Sequence, residues 1–419
     1  MDIQVTALGA IIGLALSIFL IIRKFNPAYS LILGALVGGI VGGASLTDTV
    51  TLMIDGAKGI TPAVLRIIAA GILAGVLIQS GAAAKIAETI IEKLGEKKAL
   101  LAIALSTLIL TAVGVFIDVA VITVSPIALA IAKRINLSKM SILLAMIGGG
   151  KSGNMMSPNP NTISCATNFN VELSSLMGAN IIPAIIGLIV TVIIAKTLIK
   201  KGEFNNENVE TTKKIELPSF KAAIIGPITT IILLALRPTI GISVDPIIAL
   251  PLGGIVGAIA MGKIKNVKSY MEFGLSKMTG VAILLLGTGT VAGIVANSTL
   301  KDVILKLLET SGLPLFLLAP VSGILMSGAT ASTTAGATVA SATFSATLVA
   351  GGIKALYAAA MIHTGATVLD HLPHGSFFHA TAGASQVNFS ERLKLIPYES
   401  VIGLSMTLVS TIIYGIVLK

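Results

Sequence analysis

The sequence predicts an all-α polytopic membrane protein made of two inverted-topology repeats, each with a re-entrant hairpin and a broken helix. Three observations lead there. Of the 419 residues 54% are hydrophobic and 11% charged, with a mean hydropathy of +0.96, whereas soluble domains carry about a quarter charged residues. A stretch also recurs 215 residues on: Ala145-Met146-Ile147, Gly150 and Pro158 are answered by Ala360-Met361-Ile362, Gly365 and Pro373. In both copies an apolar helical run dissolves into Gly, Asn, Ser, Thr, Pro and ionisable residues while still flanked by apolar sequence. That is how a discontinuous transmembrane helix reads, and the two breaks are taken as halves of one binding site.

The first repeat covers residues 1–199. Apolar runs from Val5 to Ile22, Leu31 to Gly43 and Val64 to Ser80 give three spans, separated by Arg23 to Pro27 and by a short loop around Asp48 and Asp55. Val5 to Ile22 follows Asp2 rather than a basic stretch, so it reads as a span and not a cleaved signal. Ala83 to Ala99 sets Lys85, Glu88, Lys93 and Glu96 among Ile86, Ile90, Ile91 and Leu94, the pattern of an interfacial arm. Two apolar runs then meet at Gly114 to Asp118 without a polar loop, predicting a hairpin over 100–132 whose tip lies within the membrane. A broken helix over 141–166 and a span from Ile181 to Ile199 complete the half.

Residues 200–218 are the one strongly polar stretch and read as a cytoplasmic linker. The second repeat, 219–419, repeats the order: Gly253-Gly-Ile-Val-Gly257 answers Gly38-Gly-Ile-Val-Gly42, an arm follows at 300–310, a hairpin at 315–350, and a broken helix at 356–385. About ten to twelve spans of roughly 20 residues are expected. If each hairpin returns to its own side, a half has an odd number of crossings, which forces the second half to insert upside down.

Charge supports an orientation. With the N-terminus outside, nineteen Lys and Arg residues, among them Arg23, Lys24, Lys277, Arg392 and Lys394, fall at cytoplasmic ends against six outside. Both termini are therefore expected to be extracytoplasmic in a multi-pass protein of the cell (inner) membrane. The net charge of +10 follows from this bias and not from nucleic-acid binding, since the chain has no Trp and no basic-aromatic cluster. Its single cysteine, Cys165, excludes an internal disulfide.

Lys151 lies deep in an apolar run, where an unpaired cation costs at least about 3 kcal/mol, so it is expected to be a counter-charge for an anionic substrate or for Asp118. Gly-Gly-Gly-Lys151-Ser152 lacks the first glycine and the preceding strand of a phosphate-binding loop. Asp118 has only apolar neighbours in sequence and Asp370 adjoins His371; each is a candidate proton carrier, and Asp118 is preferred because histidines can hold Asp370 ionised. His363, His371, His374 and His379 cluster in one stretch without zinc spacing, so no metal or other cofactor is expected. Substrate recognition is assigned to Lys151, Ser152, Asn154, Asn159, Asn161, Thr330, Ser332, Thr333, Thr334, Thr364 and His374, and proton coupling to Asp118, Asp370 and His371.

Leu369-Asp370-His371-Leu372-Pro373-His374-Gly375 looks like the Leu-Asp-x-x-Pro-His-x-Gly signature of the gluconate:proton symporter family within the ion-transporter superfamily. Ser157-Pro158-Asn159-Pro160-Asn161-Thr162 is similar to a proline-rich segment of that family, and Phe116-Ile117-Asp118-Val119 resembles its acidic hairpin motif. The resemblance spans essentially the whole chain. It implies proton-coupled uptake of a sugar acid or short hydroxycarboxylate, such as gluconate or glycerate, by a homodimeric carrier whose transport domain moves against a scaffold in the bilayer. A sodium-coupled or antiport carrier is the alternative within that class. A channel would need rings of like residues that the two breaks do not offer. An intramembrane hydrolase would need a His-Glu-x-x-His, Gly-x-Ser-x-Gly or acidic-dyad motif, and none occurs.

Overall fold

The computed structural model describes residues 4–204, 216–240, 242, 244–300, 302–303, 306, 310, 314–373 and 375–418. Most of the expected linker, part of the second arm and His374 lie outside them. In order, the first half contains α1 (Ala7–Ile22), α2 (Pro27–Val41), α3 (Leu46–Gln79), the amphipathic α4 (Ala82–Leu94), α5 (Ala99–Ala112), α6 (Ile117–Ile135), α7 (Lys139–Met155), α8 (Pro160–Asn168), α9 (Leu173–Ala179) and α10 (Ile181–Thr197). The second half contains α11 (Phe220–Ile240), α12 (Pro246–Ala260), α13 (Val267–Ala296), α14 (Leu318–Thr330), α15 (Thr333–Ala350), α16 (Ala355–Gly365), α17 (Ser376–Ala384) and α18 (Phe389–Thr411), which ends in a π-helical turn over Ile412–Val417.

Helix ends follow local chemistry. Asn26 caps α2, whose first residue, Pro27, has no N–H to lose. The loop expected around Asp48 and Asp55 is absent, because a capping box starts α3 there instead. The Ser45 hydroxyl accepts from the Asp48 amide at 3.1 Å and donates to the Asp48 carboxylate at 2.7 Å. Asp55 pairs with Lys58 at 2.8 Å one turn further on, so both charges are carried on the exposed side of a continuous 34-residue helix.

Six helices, α1–α3 and α11–α13, form one packed body around the crossing of α3 with α13. Glycines bring those two backbones together: a Cβ on Gly56 would lie 2.2 Å from the Gly289 carbonyl, and one on Gly75 would lie 2.1 Å from that of Tyr270. Close approach through small residues is how helices associate where lipid removes the hydrophobic incentive. The second body comprises α5–α8, α10 and α14–α18, in which α5 packs on α7, α14 on α16, and α10 and α16 on α18.

Gly148, Gly149 and Gly150 do not break the first discontinuous helix, as the sequence suggested. Helix α7 runs through them to Met155, and the chain opens only at residues 156–159. The glycines serve packing: a Cβ on Gly149 would lie 2.0 Å from the Ala104 carbonyl of α5, and one on Gly148 would lie 2.1 Å from Thr191 Oγ1 of α10. The second break, 366–375, is longer and carries Asp370 and His371.

Spans of uniform length are not found either. Among the described residues α3, α13 and α18 with its π turn are long and apolar enough to cross a bilayer alone, and α9 with α10 makes a fourth span bent by 42°. Helices such as α2, with 15 residues between Asn26-Pro27 and Gly42-Gly43, extend only about 22 Å. The chain is a membrane protein of many apolar helices with unequal reach.

Candidate functional site

Four helices begin at one cavity of about 370 Å³, a size suited to a small ligand. The first turns of α6 (Ile117, Asp118, Val119), α8 (Pro160, Asn161), α15 (Thr333, Thr334) and α17 (Ser376, Phe377) line it, with Phe116, Asn154, Asn159, Ala331, Ser332 and Asp370 between them. Its remaining wall is one stripe of α13, Lys277, Gly280, Val281 and Leu284.

The turns that deliver these helices are tight. Gly114 at the end of α5 has φ +103°, which only glycine adopts without strain. At the second hairpin tip Ala331 stands at φ +46°, and Gly375 lies under it: a Cβ there would meet the Ala331 carbonyl at 2.5 Å. That contact brings the start of α15 against the start of α17.

Polar side chains brace the cavity wall. Asn159 Nδ2 donates to the Asn154 carbonyl at 2.7 Å, while its Oδ1 caps α8 by accepting from Asn161 N and Thr162 N. Thr334 Oγ1 donates to Asn161 Oδ1 at 2.5 Å, joining the second hairpin to the first broken helix. Thr333 Oγ1 donates to Asp370 Oδ2 at 2.5 Å, joining that hairpin to the second break.

Behind this wall lies a buried charge network. Lys151 Nζ donates to Asp370 Oδ1 at 2.5 Å and to the Thr367 carbonyl at 2.8 Å, and it lies 2.9 Å from His371 Nδ1. His371 Nε2 faces the Ile396 carbonyl at 3.0 Å, and its Nδ1 lies 3.0 Å from Asp370 Oδ1 as well as beside Lys151. On α18 Arg392 and Glu399 form a pair in which both side chains are fully buried, and Glu399 comes within 3.9 Å of His371. Each buried carboxylate of the network thus has a cationic partner, Lys151 for Asp370 and Arg392 for Glu399.

The structure thus separates the residues singled out in the sequence. Asp118, Asn154, Asn159, Asn161, Ser332, Thr333, Thr334 and Asp370 meet at the cavity. Lys151 does not: it is fully buried and its partner is Asp370, not Asp118, so it is no free counter-charge. Ser152 donates back to the Gly148 carbonyl, Thr364 to that of Ala360 and Thr330 to that of Met326, and none of them lines the cavity. His371 is sequestered behind Asp370, and His374 falls outside the described residues. The other histidines lie elsewhere, His363 beside Asn180 and His379 on the Pro373 carbonyl.

Three residues were missed. Arg392, counted among the basic residues at cytoplasmic ends, is buried with Glu399, and Lys277, counted likewise, lines the cavity. Glu399 inside an apolar run was a legible signal, since an ionisable residue at such depth calls for a partner; Arg392 stands two turns before it. Lys277 was marked by its spacing of three, four and seven to Gly280, Val281 and Leu284.

A polar cavity enclosed by broken helices and hairpin tips inside an apolar helical body is the arrangement of a membrane transporter. Among solved structures of similar fold, the crystal structure of the Alcanivorax borkumensis YdaH transporter, described as having an unusual topology, superposes with a TM-score of 0.66 at 17% identity, covering 89% of this chain and 88% of that one. The chain belongs to the GntP permease family, whose description, GntP family permease, matches residues 5–417. An uncharacterized transporter of Haemophilus influenzae is 62% identical over 98% of this chain and 99% of its own length. The high-affinity gluconate transporter of Escherichia coli is 24% identical over 75% of this chain and 78% of its own. The protein is a permease and not an enzyme.

Proposed function

We propose that this permease is a secondary active transporter for a small organic anion, a sugar acid or hydroxycarboxylate such as gluconate or glycerate, moved together with a proton. The observation that carries this reading is the convergence of four helix N-termini on one cavity. Each N-terminus brings the equivalent of about half a positive charge to the cavity, the ordinary protein setting for a carboxylate or phosphate. Helix α17 has no capping side chain, which leaves its first-turn amides for a ligand, while in α6 the Asp118 carboxylate accepts from the Val119 amide at 2.9 Å. Asn161, Ser332, Thr333 and Thr334 then suit the hydroxyls of a polyhydroxy acid, and the relatives that transport gluconate fit this chemistry.

Asp118 is the proton carrier in this reading. It is half-buried at the start of α6 and has no ion-pair partner among the described residues, whereas both oxygens of Asp370 are already engaged. Proton binding to Asp118 offsets the charge of the incoming anion, so loading leaves the net charge of the moving cavity unchanged. The two halves are inverted repeats, as their shared element order suggests. The body of α5–α8, α10 and α14–α18 slides as an elevator against α1–α3 and α11–α13 in a homodimer, with both termini extracytoplasmic.

Counterflow in proteoliposomes tests the proposal, with gluconate, glycerate, lactate and citrate against a neutral polyol. Saturable exchange of hydroxy acids, driven uphill by a pH gradient, is expected. Exchange of the polyol alone, or no exchange at all, sinks the reading; uptake driven by a sodium gradient at uniform pH would replace the proton with sodium. A reporter fused at residue 208 should be active only as a cytoplasmic fusion.

A further inference from the structure

Two opposite charges line the cavity without an ion-pair partner among the described residues: Asp118 from the first hairpin and Lys277 from α13. Lys277 stands ten residues past the start of α13, about 15 Å along the helix, and its side chain is exposed, with the Phe273 ring 5.3 Å away. The neighbouring cation, Lys151, is fully buried against Asp370, Thr367 and His371. Among the described residues, an anion in this cavity therefore meets one cationic side chain without an ion-pair partner, Lys277.

That side chain belongs to a different body from the rest of the site. Asn161, Thr333, Asp370 and the four helix N-termini all come from α5–α8 and α14–α17, whereas Lys277 belongs to α13, which is locked to α3 by backbone contact at Gly71, Gly75 and Gly274. A ligand held by both bodies gains the Lys277 contact only while the cavity faces that stripe. A contact present in one state and absent in the other is what gives a carrier different affinities on its two faces.

We propose that Lys277 is the substrate's counter-charge in this state and makes substrate affinity side-dependent, strong where the cavity faces Lys277 and weak once it has moved away. The inference rests on the anion-carrier reading above. Asp118 sets its pH dependence, with Asp370 the other carboxylate on the cavity and already held by Lys151: deprotonated Asp118 competes with substrate for Lys277, and a proton on Asp118 leaves Lys277 to the substrate.

The test is the substrate KM of wild type, Lys277→Gln and Lys277→Arg, measured separately in right-side-out and inside-out membrane vesicles. Lys277→Gln should raise KM about tenfold or more from one face, the worth of one charge-assisted hydrogen bond, and less than about twofold from the other, where the contact is not made. Lys277→Arg should stay near wild type on both. The melting temperature of Lys277→Gln should match wild type, since the side chain is exposed. Unchanged KM on both faces, or an equal rise on both, overturns the inference while leaving the anion carrier intact. No anion exchange by the wild-type protein would sink the carrier reading itself.

Discussion

Replacing Lys151 with methionine keeps the length of the side chain and removes its charge from the centre of the second body. The structure shows what is lost: the contacts to Asp370 Oδ1 at 2.5 Å, to the Thr367 carbonyl at 2.8 Å and to His371 Nδ1 at 2.9 Å. Asp370, with only 3% of its side chain exposed, keeps Thr333 and loses its cation. Removing one member of a buried ion pair costs roughly 3–5 kcal/mol, because the other charge is left uncompensated in a medium that solvates it poorly. The loss should therefore appear first as instability and only secondarily as lost transport. In Lys151→Met/Asp370→Leu no charge is left unpaired, so the double variant should recover at least about 2 kcal/mol relative to the sum of the single variants. Thermal unfolding of the detergent-purified proteins, scanned at one fixed rate because membrane proteins unfold irreversibly, gives the ordering. Lys151→Met with wild-type stability, or a double variant no better than the sum of its parents, would refute the assignment of Lys151 to a buried structural pair.

Other expectations follow from the same geometry. Gly149→Leu forces a side chain into the Ala104 carbonyl 2.0 Å from its Cβ; α7 must separate from α5, and size-exclusion chromatography should show loss of the monodisperse protein. Asp118→Asn should retain substrate exchange and lose uphill uptake driven by a pH gradient, and uphill uptake that survives in this variant moves the coupling proton elsewhere. Arg392→Met should destabilise by an amount similar to Lys151→Met, because Glu399 is equally enclosed, with Arg392→Met/Glu399→Leu as the recovering partner in thermal unfolding.

Much of this protein is written in its linear sequence because lipid demands it. Backbone groups in hydrocarbon must be satisfied within a helix, so an apolar run interrupted by Gly, Asn, Ser and Pro marks a protected interior. The Ser157 to Asn161 and Val368 to Gly375 interruptions were legible on that ground, and Asn159, Asn161 and Asp370 with them. Helix caps are local as well: Ser45 and Asp48, three residues apart, start α3 by bonding each other. That signal was present in the sequence and was outweighed by reading two carboxylates as a loop.

Partnership across the fold was decided only by the tertiary structure. Lys151 and Asp370 are separated by 219 positions, and nothing local to Lys151 distinguishes a side chain reaching for substrate from one neutralised by a distant break. Gly148 to Gly150 posed the same ambiguity, since a glycine that frees the backbone and one that admits a neighbouring helix are the same residue, and α5 and α10 settled it by lying against them. Lys277 posed a related ambiguity: its charge suggested a cytoplasmic end, and only the packing shows that α13 presents it to the cavity. Burial and pairing of charge depend on what packs against a helix from elsewhere in the chain, and that information is not carried by the residues adjacent in sequence.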